Sequence, residues 1–170
     1  MNDAQLHLAF NHAPIILPIV GILLLIAGLF LKSEVIKRAA YCIFIVAALS
    51  ALFAMFSGEG AEELIEELPG VDEHFIKTHE EIAEVFAISL YLLGALSILG
   101  LWANWKQKWY SKTILMSAIL LSLVALFYAK RTGTSGGEIR HPEIRETQAN
   151  SAISQSPKDD EEDDEEKSND

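Results

Sequence analysis

The chain has 170 residues, 51% of them hydrophobic, and sets 24 acidic against 13 basic side chains for a net charge of −11. The acidity is concentrated: Asp159 to Asp170 hold nine of the 24 acids and one lysine, which leaves 15 acids against 12 bases elsewhere. This balance excludes a basic nucleic-acid binder, and a sole cysteine, Cys42, excludes an intrachain disulfide.

Residues 1–12 contain His7 and His12 but no Lys or Arg, which argues against a cleavable signal peptide. Four apolar spans follow, at about 13–31, 39–57, 82–105 and 113–129. Each is close to the roughly 20 helical residues that cross a bilayer. None alternates strictly, which excludes barrel strands. The expectation is an all-α fold: a four-span transmembrane helix bundle over residues 1–131, a short amphipathic extramembrane helix, and a disordered acidic tail over 132–170.

The first span carries Pro14, which suits a first helical turn, and Pro18, which frees a backbone carbonyl inside the helix. Lys32, Lys37 and Arg38 follow it. Lys106, Lys108 and Lys112 lie between the third and fourth spans, among Trp102, Trp105, Trp109 and Tyr110. By the positive-inside rule, counted over the first three loops, both basic loops face the cytoplasm and both termini lie outside it; Lys130, Arg131, Arg140 and Arg145 after the fourth span are the exception and bring the total to six bases against five. A bacterial inner membrane is the expected residence.

Between the second and third spans, Ala61, Leu64, Ile65 and Leu68 fall on one helical face and Glu62, Glu63, Glu66 and Glu67 on the other. This predicts an amphipathic helix ended by Pro69-Gly70. The third helix is expected to begin before the membrane, with Asp72 as its cap or with Thr78 to Glu81 as a capping box. Glu84 then sits beside the apolar run, where it either pairs with Lys130 or Arg131 or handles protons.

All five histidines, His7, His12, His74, His79 and His141, fall on the outer side of this topology. Three readings compete. The histidines are interfacial polar groups; or two of them, from different helices, ligate a b-type haem; or histidine joins Glu62, Glu73, Glu80 or Glu81 in binding a divalent ion such as zinc. The i, i+5 spacing of His7/His12 and of His74/His79 sets each pair about 140° apart on a helix, so a site needs ligands from separate segments. The leading cofactor ligands are His12 and His79, followed by His7 and His141; the metal candidates are His74, Glu80 and Glu81. No Cys-x-x-Cys-His motif exists for c-type haem.

The stretch Leu6-His7-Leu8-Ala9-Phe10-Asn11-His12-Ala13-Pro14-Ile15, with Ser57-Gly58, His79, Gly136-Gly137 and His141, resembles a family of four-helix membrane proteins numbered 2231 among the domains of unknown function. The resemblance covers roughly residues 6–141 and departs from the pattern at Leu8, Ala13 and Glu138-Ile139-Arg140. It implies a four-span fold and an association with haem or redox chemistry. The best specific function is a haem-b or metal-binding subunit linked to electron transfer, with the lipid bilayer and other membrane or redox subunits as partners. The alternative is a non-catalytic accessory or scaffold subunit without a cofactor. A proton pathway requires Glu84 to face the bundle interior.

Overall fold

A computed structural model describes residues 3–66 and 71–141. They form five helices and, among the described residues, no strand: α1 (Asp3–Phe10), α2 (His12–Phe30), α3 (Glu34–Glu66), α4 (Glu73–Trp105) and α5 (Ser111–Arg140). Four stretches are long and apolar enough to cross a membrane, the first of them running through α1 and α2 from Gln5 to Phe30. The break at Asn11 has a local cause. Pro14 has no N–H to donate to the Phe10 carbonyl, so the ladder loosens there, although the Asn11 N–H still reaches the His7 carbonyl at 2.8 Å. At 33 residues each, α3 and α4 are about 50 Å long and outreach the hydrocarbon layer.

The segment expected to form a separate amphipathic helix is helical but continuous with α3 through Glu66; Leu68 and the Pro69-Gly70 stop lie outside the described residues. Asp72 does cap α4, its carboxylate accepting the His74 N–H at 2.9 Å. The fourth helix passes the boundary expected at residue 131 and runs to Arg140. Buried Thr132 and Ser135 give this extension packing that its glycines alone would lack. The acidic tail beyond His141 lies outside the described residues.

Helix α2 packs on α3, α3 on α4, α4 on α5, and α5 returns to α2 in a thinner contact; α1 lies on α3. Between 28% and 39% of each span's apolar window is buried in the bundle. The remainder shows large side chains such as Leu23, Phe53, Ile98 and Phe127 to the surroundings. A surface that apolar belongs in lipid. Small residues bring the helices together. A Cβ on Gly21 would stand 2.4 Å from the Phe44 ring, and one on Gly94 would stand 2.5 Å from Ala48 Cβ.

The buried residues recur. A shift of 72 positions, the difference between His7 and His79, carries every buried residue of α2 onto a buried residue of α4: Pro14 to Phe86, Pro18 to Leu90, Gly21 to Leu93, Ile22 to Gly94, Leu25 to Ser97 and Gly28 to Gly100. A shift of 78, the difference between Ser57 and Ser135, carries Ala40, Phe44, Ala47, Ala51 and Ala54 of α3 onto Ala118, Ser122, Ala125, Ala129 and Thr132 of α5, all buried. The turns after α2 and α4 match as well. Ser33 N–H reaches the Gly28 carbonyl and Lys108 N–H the Ala103 carbonyl, with Lys32 (φ 51°) and Gln107 (φ 50°) as the left-handed residues. These are paired Schellman closures. The bundle is therefore two like hairpins, α1–α3 and α4–α5.

Candidate functional site

Each hairpin carries one half-buried histidine at the same end of the bundle. On the first, His7 Nδ1 stands 3.0 Å from the Ala54 carbonyl and 3.4 Å from Ser57 Oγ. A carbonyl only accepts, so Nδ1 carries the proton. Ser57 Oγ donates back to the same carbonyl at 3.2 Å. Gly58 follows, and a Cβ there would meet the His7 ring at 3.5 Å.

On the second hairpin, His79 Nδ1 stands 3.0 Å from Ser135 Oγ, and that hydroxyl donates to the Thr132 carbonyl at 3.2 Å. With its proton committed there, the hydroxyl accepts from the Nδ1–H of His79. Gly136 follows, and a Cβ there would stand 3.1 Å from His79 Cε1. Histidine, backbone carbonyl, serine and glycine thus form the same set twice.

The chemistry of this set is specific. With Nδ1 protonated, Nε2 keeps the free lone pair of each neutral imidazole. A ligating histidine needs this arrangement, its second nitrogen held by a protein acceptor that fixes tautomer and ring orientation. Two buried oxygens at this end, Asn11 Oδ1 and Thr132 Oγ1, have no hydrogen-bond partner.

The other sequence candidates lie apart. His12 is exposed as the first residue of α2. His74 is exposed in the first turn of α4, its ring edge-on to Phe75 at 5.6 Å. His141 is the exposed C-cap of α5. Glu80 and Glu81 are exposed on α4, and among the described residues no three His, Cys, Asp or Glu side chains gather into a metal-holding group. Glu84 is exposed rather than facing the interior, so the condition set for a proton pathway is not met, and it pairs with neither Lys130 nor Arg131. The backing groups Ala54, Thr132 and Ser135 were missed by the sequence reading. The signal that finds them is the repeat itself, a Ser-Gly pair three residues after each acceptor carbonyl.

Removing the Ser135 hydroxyl takes away the acceptor that holds His79 Nδ1. Ser135→Val is expected to weaken any ligand held through His79 by about 10-fold, the lower end of what outer-shell changes cost. A titration of apo-protein with that ligand measures it.

No curated protein and no solved structure matches the chain. The family described as predicted membrane proteins, DUF2231, matches residues 4–142, so the chain belongs to the DUF2231 family of predicted membrane proteins.

Proposed function

We propose that this integral membrane protein binds a b-type haem through His7 and His79 and serves in electron transfer. The observation that carries this reading is the duplicated histidine–carbonyl–serine–glycine set at one end of the bundle. Histidine is a common haem ligand, and each of the two like hairpins would offer one imidazole to hold the group. The donor set fits: both imidazoles are neutral-tautomer ligands with Nδ1 engaged, and the unpartnered Asn11 Oδ1 and Thr132 Oγ1 add polar capacity at the same end. Bound haem would supply one-electron chemistry. The chain's residues hold the rings, fix their tautomer and bury the site among apolar helices.

The histidine end faces away from the cytoplasm in this reading, in a bacterial inner membrane with both termini outside. The lysines of the opposite end support that orientation. The partners are other redox subunits of the membrane. The test is the absorption spectrum of full-length protein purified from haem-replete membranes. A Soret band and a reduced α-band of b-type haem are expected. A colourless preparation that also fails to take up added haemin would leave the scaffold reading in its place.

A further inference from the structure

The opposite end of the bundle holds a polar cleft of about 270 Å³ between the α2–α3 turn and the α4–α5 loop. Lys37, Lys108 and Lys112 line it, with Trp109 at its side and Leu29 and Leu115 as apolar lining. Its one lining carboxylate, Glu34, is already engaged: it accepts from Lys37 Nζ at 2.7 Å and from the amide of Asn104, whose oxygen takes Arg38 Nε at 2.6 Å. Lys108 and Lys112 are left without a carboxylate partner among the described residues, Lys108 lying over the Trp102 ring at 5.6 Å. Helix α5 starts in the cleft at Ser111 with no acidic residue in its first turn and no side-chain cap on Tyr110, so its positive end adds to the lysines.

We infer that this cleft binds the phosphate of one anionic phospholipid. Position decides for a lipid over a soluble phosphate ester. Leu29 and Leu115 belong to the apolar spans, so the cleft opens at the edge of the hydrocarbon. The exposed Trp102, Trp105 and Trp109 mark the headgroup level beside it. A phosphate at the lysines would leave its acyl chains to the exposed apolar side chains next in sequence to those leucines, Phe30 and Met116. The excess positive charge selects an anionic headgroup over a zwitterionic one.

The test compares full-length protein in bilayers of phosphatidylcholine alone and of phosphatidylcholine with phosphatidylglycerol. The anionic lipid is expected to raise the unfolding midpoint by about 2–4 °C, and native mass spectrometry is expected to retain one phosphatidylglycerol. The double variant Lys108→Gln/Lys112→Gln loses both effects while unfolding as the wild type does in phosphatidylcholine. Lys32→Gln, at the same end but outside the cleft, keeps them. Equal midpoints in the two bilayers, an undiminished rise in the double variant, or equal loss in Lys32→Gln would overturn the site. A rise reproduced by soluble glycerol 3-phosphate in phosphatidylcholine would overturn the lipid as its source.

Discussion

His7→Ala and His79→Ala are each expected to abolish the haem spectrum, whereas His12→Ala, His74→Ala and His141→Ala retain it. His7 and His79 are the histidines whose Nδ1 is tied to a protein acceptor across a helix interface, and this leaves Nε2 for iron. Exposed His12, His74 and His141 stand at helix ends: the first residue of α2, the first turn of α4 and the C-cap of α5. Either substitution removes one of the two imidazoles that would hold the haem, so a second expected result is partial recovery of the spectrum when imidazole is added to His79→Ala. Both are read by absorption of reduced, purified protein. Circular dichroism of each variant reports whether the bundle itself is intact.

The second large effect concerns packing. Gly94→Leu is expected to destabilise the bundle by about 3 kcal/mol or more, and Gly21→Leu by a similar amount. Adding methylenes to a filled interior typically costs 1–3 kcal/mol, and here even the first carbon collides. On Gly94 it meets Ala48 Cβ at 2.5 Å, a short side chain fixed to the α3 backbone. On Gly21 it meets the Phe44 ring, which is fully buried and has nowhere to swing. Small residues govern close helix approach in membranes, where burial from water gives no drive for association. Unfolding of the purified variants in mixed micelles measures the loss. Gly58→Ala serves as the mild control, because its added carbon would make ordinary contact with His7 at 3.5 Å.

The spans were legible because hydropathy is a sum over some twenty residues and tolerates local exceptions. The Asp72 cap was legible because a carboxylate two residues before a backbone N–H is a short-range signal. The partner of His79 was harder. His12 stands next to the first apolar run, and proximity along the chain favoured it. The decisive signal is phase. In α1 and α2 the inward stripe is Asn11, Pro14, Pro18, Gly21, Leu25 and Gly28, which steps by three and four. Extended back one turn, it lands on His7 and passes His12 by. In α4 the stripe Phe86, Leu90, Leu93, Ser97, Gly100 and Asn104 extends back to His79 in the same phase. A seven-residue stripe of this kind keeps one seam facing its neighbours along the whole helix. The extension of α5 past residue 131 was hidden by Gly133, Gly136 and Gly137, which read as loop in isolation; in the helix Gly136 lies against His79 and Gly133 near Ile15.

The most direct measurement of the central claim is the electron paramagnetic resonance spectrum of the oxidised, full-length protein. A haem held between His7 and His79 gives a low-spin ferric signal of bis-imidazole type, and it disappears from His7→Ala and from His79→Ala. A haem that is high-spin in the wild-type protein, or a low-spin signal that survives either substitution, would contradict the account.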